Sequence, residues 1–219
     1  MEKHFAAQGG WEQNNGRRKT RIFAECFHHH IKLPYSRFDL ECALGDAIPV
    51  WRAAYPFARL YGCDISEVAI TRCIADYGHL AEFFPVSLEA LEGTWDVIYC
   101  SNMLEHFTDP VVVASQLLHH CSALYVMTPY KEDLVKDHDS GLEDNPHKST
   151  FTRKSLDPLV VRGVAAAVCN KVFTCPDAWG LDVESTIRRV GGYFVRGRFL
   201  KAEPLVFPRQ IVYIIQGKL

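Results

Sequence analysis

The sequence predicts an α/β fold built on a largely parallel sheet, and three observations support this prediction. Within residues 38–46 an apolar strand runs into a turn that holds Gly45, and a helix with Pro49 in its first turn follows. A second apolar strand, 59–64, ends in Asp64, nineteen residues after Gly45. Further on, short apolar strands alternate with helical patterns, which favours parallel strands joined by right-handed crossovers.

This order of strand, glycine turn, helix and strand is typical of units that bind nucleotides at the carboxyl ends of parallel strands. In such units the glycine turn lets the ligand approach, and the second acid bonds ribose hydroxyls. The nicotinamide fingerprint G-x-G-x-x-G does not fit, because Gly45 is the only glycine between residues 41 and 47. A nicotinamide-dependent reductase is therefore disfavoured.

Composition narrows the function classes further. The chain has 219 residues, 48% of them hydrophobic, which suits one domain with a good core. With 24 basic and 26 acidic residues the net charge is −2, so no global field favours nucleic acid or an acidic membrane. No apolar run approaches the ~18 residues of a membrane span, and the polar N-terminus lacks a signal segment. We expect no nucleic-acid or membrane partner and a cytoplasmic location.

The eight cysteines include no C-x-x-C pair, and most fall in apolar strand or helix patterns. This distribution predicts reduced core thiols and not disulfides.

The N-terminal part divides into an arm and the start of the domain. Residues 1–16 are rich in Gly, Gln and Asn and are predicted to form a flexible arm, whereas 17–219 form a single domain. An amphipathic helix is expected over 20–32. It carries His28-His29-His30, but consecutive helical residues diverge by about 100° and do not converge on one ion. No metal site is predicted.

The elements after the glycine turn follow in order. Asp46 is expected to open a crossover helix over 47–58, and Ser66 with Glu67 starts the next helix, which runs to about Tyr77. Three more strands are expected at 81–86, 96–100 and 123–127. A helix after Asp109-Pro110 should direct four apolar side chains inward, namely Val112, Val113, Leu117 and Leu118.

The C-terminal part departs from the simple alternation. A long charged loop at 129–150 is predicted to cover the site, since loops of this length are usually lids or flexible segments. A helix over 153–160 and a strand within 165–173 follow. The last strand is expected at 210–216, and an insertion at 176–208, predicted to contain a helix, should also cover the site.

Three motifs in this order resemble those of class I S-adenosylmethionine-dependent methyltransferases, in particular small-molecule methyltransferases of types 11 and 23. Residues 39–46 are similar to the first motif, an acid followed by G-x-G-x-G, of which Gly45 is the last glycine. Residues 62–70 are similar to the second motif, and 95–107 to the fourth strand and its Leu-Glu-His turn. The resemblance covers about residues 36–130. It implies a Rossmann-like, mostly parallel seven-stranded sheet with helices on both faces and a last antiparallel strand.

The resemblance also implies which residues hold S-adenosylmethionine. Asp39 would face the amino group of the methionine portion, Gly45 would let the backbone pass close to it, Asp64 would take the ribose hydroxyls, and Ile65 would pack on the adenine. Ser87 stands where the family often has an acid that bonds the adenine amine. Two further residues, Ser101 and Asn102, lie where backbone carbonyls usually meet the methionine end. Asp39 and Asp64 have an alternative role as helix-capping or turn acids.

The first motif departs from the family at two positions, because Glu41 and Ala43 replace its first and second glycines. The Glu41 carboxylate could crowd the cofactor, pair with its cationic amino group or point away into the sheet edge. We hypothesise binding that is reduced but retained, and that Glu41→Gly tightens it.

Four side chains are candidates for the acceptor side of the site. His106 follows the fourth strand and could act as a general base, because imidazole titrates near neutrality; its alternative is a structural histidine that closes the turn. Glu105 is expected to order that turn. Tyr130 and His147 flank the charged loop. The leading hypothesis is methyl transfer from S-adenosylmethionine to oxygen or nitrogen of a small molecule, and a sugar or a secondary-metabolite intermediate would suit the covering loops.

The alternative is a methyltransferase-like binding or regulatory protein with weakened or lost catalysis, which Glu41 and Ala43 would favour. In either case a homodimer is compatible with the sequence.

Overall fold

A computed structural model of the chain describes residues 20, 21, 24, 36–40, 42–131, 147–174 and 209–218. Several predictions concern segments outside these residues, so they stay predictions. They are the arm at 1–16, most of the helix at 20–32 with its histidine run at 28–30, Glu41, the central part of the charged loop and the insertion at 176–208.

The strands of the described residues form one sheet. Its strands are β1 (Ser36–Leu40), β2 (Arg59–Asp64), β3 (Glu82–Pro85), β4 (Trp95–Ser101), β5 (Cys121–Pro129), β6 (Ala165–Thr174) and β7 (Arg209–Gly217). Their spatial order is β3-β2-β1-β4-β5-β7-β6. The first five strands pair in parallel, whereas β7 runs antiparallel to β5 and β6. The mostly parallel, Rossmann-like sheet with its antiparallel last strand is confirmed.

Helices cover both faces of this sheet. They are α1 (Ile48–Ala54), α2 (Glu67–Tyr77), α3 (Pro110–Leu117) and α4 (Pro158–Val161). One face packs against α1 through Ile48 and Trp51. The opposite face packs against α3 and α4 through Val113, Leu117 and Leu159. The core therefore has two apolar layers with the sheet between them.

Alternation along β1 decides which side chains lie on which face. Phe38 and Leu40 belong to the apolar layer that includes α3 and α4. Arg37 points to the other side, where its guanidinium lies 3.3 Å above the centre of the Trp51 ring. Because side chains alternate, Asp39 shares the side of Arg37, so β1 carries two buried charged residues, each at most 3% exposed.

The first crossover helix differs from its prediction at both ends. It ends at Ala54 and not at residue 58, because Pro56 disfavours helical backbone at Tyr55, which adopts φ −133°. Asp46 does not cap it; the residue before the helix is Ala47, which makes no side-chain cap. The buried Asp46 carboxylate instead accepts hydrogen bonds from the Tyr77 hydroxyl at 2.8 Å and from Arg21 at 3.1 Å.

Two helical predictions after residue 105 also need correction. In α3, Val112 is 41% exposed, while Ala114 takes the inward position beside Val113 and Leu117. The predicted helix over 153–160 is shorter: 153–157 form turns, and α4 begins at Pro158, whose ring suits a first helical position.

The second crossover helix agrees with its prediction. Ser66 caps α2 by accepting a hydrogen bond from the Ala69 amide, and the helix ends at Tyr77.

Six cysteines lie in the described part, and none of them forms a disulfide. Cys42, Cys63, Cys73, Cys100 and Cys121 are buried, as expected of core thiols, but Cys169 is exposed. Among the described residues, no helix has the length and apolar character that crossing a membrane requires.

Candidate functional site

A cavity opens at the carboxyl ends of the central strands. The strand order reverses beside β1, because the chain continues to β2 on one side and to β4 on the other. Open α/β sheets bind ligands at such a point. The cavity has a volume of about 190 Å³ and is lined by Leu40, Ile65, Val86, Ser87, Leu88, Glu89, Met103 and Phe107. Ile65 and Ser87, both predicted to meet the adenosine portion, therefore line the same cavity.

The turn after β1 has the conformation that a glycine turn requires. Gly45 adopts φ +73°, and a Cβ atom there would lie 3.1 Å from the Cys73 sulfur and 3.2 Å from the Tyr77 ring. Ala43 also adopts positive φ, +50°, although its side chain disfavours this region. The Gly45 amide donates to the Cys42 carbonyl at 2.8 Å, which closes the turn.

Asp64 connects this turn to the start of α2. One carboxylate oxygen accepts from the Ala43 amide at 3.1 Å, and the other accepts from the Ser66 amide at 2.9 Å. Burial raises the pKa of Asp64, whereas these backbone hydrogen bonds lower it. Asp64 thus bonds to the backbone of the turn, which is the alternative role given for this acid in the sequence analysis. Each carboxylate oxygen has a second lone pair, so further hydrogen bonds, such as those from ribose hydroxyls, are chemically available.

Asp39 is the second acid at this edge of the sheet. Burial raises its pKa to about 7; the positive charge of Arg37 opposes the increase and the charge of Asp64 adds to it. Burial also lowers the pKa of Arg37 to about 10, while the Asp39 charge raises it. Within the described residues, Asp39 Oδ2 is buried and has no hydrogen-bond partner. A buried carboxylate oxygen without a hydrogen-bond donor is a suitable acceptor for a cationic donor, such as the amino group of the methionine portion.

Ser101 and Asn102 lie where β4 leaves the sheet. Asn102 adopts φ +52°. Its amide donates to the Met127 carbonyl of β5 at 2.8 Å, and its side chain donates to the Ser101 hydroxyl at 3.3 Å. These bonds hold a sharp turn directly after β4, next to the cavity residue Met103.

A short 3₁₀ helix over Leu104–His106 follows this turn and carries two acceptor-side candidates. Glu105 is fully buried, and its backbone carbonyl accepts from the Lys148 amide at 2.7 Å and the Ser149 amide at 3.1 Å. The Ser149 hydroxyl donates to the Phe107 carbonyl at 2.7 Å. The backbone carbonyl of Glu105 thus joins this turn to the segment at 147–150, and the role of the Glu105 side chain stays a prediction.

This junction brings three of the four acceptor-side candidates together. The rings of His106 and His147 lie with their centroids 4.9 Å apart. One ligand-type atom from each of Glu105, His106 and His147 lies within 4.8 Å of the others. Tyr130 lies at the end of β5 and forms a β-bridge with Phe151, four residues after His147. The structure does not describe Glu41, so its role stays a prediction.

Sequence reasoning missed part of the cavity wall. Glu89 lies two residues after Ser87 and lines the same cavity. The pKa of Glu89 is lowered by its own backbone amide and by the Ser87 hydroxyl. The signal for it was an acid two residues after Ser87, the position at which the resemblance implies an acid. Phe107 was also missed; the signal for it was its position as an aromatic residue directly after Leu-Glu-His.

Comparison with protein families gives one match. Residues 12–161 match a family profile described as a methyltransferase domain, and this range is more than half of the chain. A search of curated proteins gives no match.

Solved structures with similar folds include several methyltransferases. The plantazolicin methyltransferase BpumL, in complex with a triazolic desmethylPZN analog and SAH, has a TM-score of 0.61 and 18% identity, covering 99% of this chain and 97% of that one. The magnesium protoporphyrin IX methyltransferase (ChlM) from Synechocystis PCC 6803, with bound SAH, has a TM-score of 0.59 and 15% identity, covering 93% and 84%. A Haloferax volcanii protein in complex with the Trm112 methyltransferase activator has a TM-score of 0.71 and 12% identity, covering 100% and 97%. At these identities the similarity establishes the fold.

Proposed function

The chain belongs to the methyltransferase-domain family, and from this premise we propose that it transfers a methyl group from S-adenosylmethionine to oxygen or nitrogen of a small molecule, such as a sugar or a secondary-metabolite intermediate. The observation that carries the proposal is the cavity at the ends of β1 to β4, with the buried Asp39 and Asp64 beside it. The proposal places the reaction in the cytoplasm, which is favoured by the absence of disulfides among the described cysteines.

The residues around the cavity fit the parts of this cofactor. Ile65 is 57% exposed and offers an apolar surface for the adenine, and Ser87 and Glu89 offer oxygen acceptors for its amine. Asp64 would accept from the ribose hydroxyls with its remaining lone pairs. Asp39 would accept from the amino group with its buried oxygen.

When bound, the cofactor supplies an electrophilic methyl group on a positively charged sulfur. The protein has to align the acceptor with the sulfur–methyl bond and exclude water. The acceptor side is formed by Glu105, His106 and His147, with Tyr130 near the same edge of the sheet. An imidazole there could take the proton of a hydroxyl or an ammonium group.

A binding protein without turnover is the second candidate, and the first motif is the feature that favours it. Ala43, however, already adopts the positive φ for which glycine is preferred. The turn conformation therefore stays accessible although alanine replaces the second glycine of the family motif, and catalysis remains our proposal.

The test is a calorimetric titration with S-adenosylhomocysteine, followed by transfer of radiolabelled methyl groups to a panel of sugars, phenols and amines. We expect micromolar binding and labelling of at least one compound. Asp64→Asn should weaken binding by about tenfold, since a charged hydrogen bond contributes roughly 1.5 kcal/mol or more. Asp76→Asn, on the exposed surface of α2, is the matched control. Binding without any labelling would favour the non-catalytic candidate, and absence of binding would exclude both.

A further inference from the structure

We propose that Glu105, His106 and His147 form a binding site for a divalent transition-metal ion on the acceptor side of the cavity. The three residues come from two separate segments, because His147 lies 41 positions after His106. Their ligand-type atoms nevertheless lie within 4.8 Å of one another. Among the described residues, this is the group of histidine, cysteine and acid side chains that has such spacing.

Binding an ion requires the three ligand atoms to move closer together. Metal–nitrogen and metal–oxygen bonds are about 2.0–2.2 Å long, so neighbouring ligand atoms of a tetrahedral or octahedral ion lie about 3.0–3.5 Å apart. The three ligand-type atoms lie within 4.8 Å of one another, so the widest separation has to shrink by about 1–2 Å. Glu105 is fully buried, whereas His106 and His147 are partly exposed, so we expect the imidazole side chains to make this movement.

The backbone holds the two segments in register. The Lys148 and Ser149 amides both donate to the Glu105 carbonyl, and the Ser149 hydroxyl donates to the Phe107 carbonyl. His147 directly precedes these contacts, so its Cα atom is held beside the turn that carries the other two side chains. A site prearranged in this way loses less entropy when an ion binds.

The ligand set indicates the kind of ion. Two imidazoles and one carboxylate on one side of an ion are typical of sites for Fe²⁺, Co²⁺ or Zn²⁺ that keep open positions for other ligands. Mg²⁺ and Ca²⁺ prefer sites built from oxygen atoms. We therefore expect selectivity for a transition metal over Mg²⁺.

The chemical role rests on the proposed function. An acceptor hydroxyl bound at an open position would have a lowered pKa and would lose its proton to water. The deprotonated oxygen of the acceptor would then form a bond to the methyl carbon of the cofactor. The sulfur–carbon bond would break at the same time, and the electron pair of that bond would stay on sulfur. In this arrangement His106 is a metal ligand and not the general base.

The experiment uses untagged full-length protein in which His28, His29 and His30 are replaced by Asn, so that the histidine run does not bind the probe. The protein is treated with a chelator and titrated with Co²⁺, and the visible absorption of the bound ion is followed. Zn²⁺ and Mg²⁺ are then added as competitors. We expect one Co²⁺ per chain, displaced by Zn²⁺ but not by Mg²⁺.

Variants show whether the cluster is the site. His106→Gln and His147→Gln should each weaken Co²⁺ binding by at least about tenfold, whereas His119→Gln, on the exposed part of the turn after α3, should leave it unchanged. Glu105 is not used, because a change at a fully buried acid can unfold the protein. Circular dichroism verifies that the histidine variants are folded.

The outcomes separate this inference from the proposed function. Absence of Co²⁺ binding, or Co²⁺ binding in both cluster variants that is as tight as in the protein with an intact cluster, overturns the metal site and leaves a structural group. Titration of the metal-free protein with S-adenosylhomocysteine tests the cofactor site independently. Cobalt binding without nucleoside binding would support the metal site and reject its role in methyl transfer.

Discussion

The buried acid on β1 should make cofactor binding depend on pH. Burial raises the pKa of Asp39 to about 7, despite the opposing charge of Arg37. Under the proposed function, the ionised carboxylate accepts a hydrogen bond from the cationic amino group of the ligand. Protonation removes that charge, so affinity for S-adenosylhomocysteine should fall as the pH decreases through about 7.

The magnitude follows from the titration. With a pKa of about 7, roughly 75% of the Asp39 side chains are ionised at about pH 7.5 and roughly 3% at about pH 5.5. If only the ionised form binds the amino group, the association constant falls about 25-fold, or about 1.9 kcal/mol. The stability of the unbound protein should change in the opposite direction. The folded-state pKa exceeds the unfolded value of about 3.9, so this group lowers stability as pH rises from about 4 to about 7.

Isothermal calorimetry at the two pH values measures this effect. The wild type should show the 25-fold difference, about as derived above. Asp39→Asn should bind weakly and with little pH dependence, whereas Asp76→Asn should behave as the wild type. Affinity that is constant within about twofold, or an unchanged pH dependence in Asp39→Asn, would refute the assignment of Asp39 to the amino group.

Three further predictions concern the same end of the sheet. Arg37→Met removes the charge that lowers the pKa of Asp39, so the midpoint of the pH dependence of binding should move to higher pH; a shift to lower pH would contradict the pairing. Gly45→Ala should destabilise the fold by about 1–3 kcal/mol in urea denaturation, because of its positive φ and the close contacts of the new methyl group; an unchanged midpoint would be the contrary result. Ala43→Gly removes the Cβ atom that disfavours positive φ, so the free energy of unfolding should rise by about 0.5 kcal/mol. Ala69→Gly within α2 should lower the free energy of unfolding by about 1 kcal/mol. Equal losses in both variants would show that the turn at Ala43 is not strained.

Features with a local cause could be predicted from the sequence. Ser66 precedes a helix and has a side chain that caps it, and Asp64 ends an apolar strand, so both were placed where the structure has them. The prediction was wrong where the role of a side chain depends on a residue that is distant in sequence but adjacent in the fold. Asp46 had the chemistry of a helix cap, but Tyr77, 31 residues later, binds its carboxylate.

The site was predicted in parts and not as an arrangement. His106 and His147 were both candidates, but their proximity depends on hydrogen bonds between distant segments, such as those of the 148–149 amides to the Glu105 carbonyl. Contacts between segments some 40 residues apart depend on the path of the chain, which periodicity does not encode. Glu89 was missed because the resemblance directed attention to Ser87, two residues before it.

The most direct test of the central claim is a crystal structure with S-adenosylhomocysteine. The account predicts electron density for the adenine against Ile65, with its amine near Ser87 or Glu89, the ribose at Asp64 and the amino group at Asp39. Density for the nucleoside at another place, or a cavity that stays free of it at saturating ligand, would contradict the account.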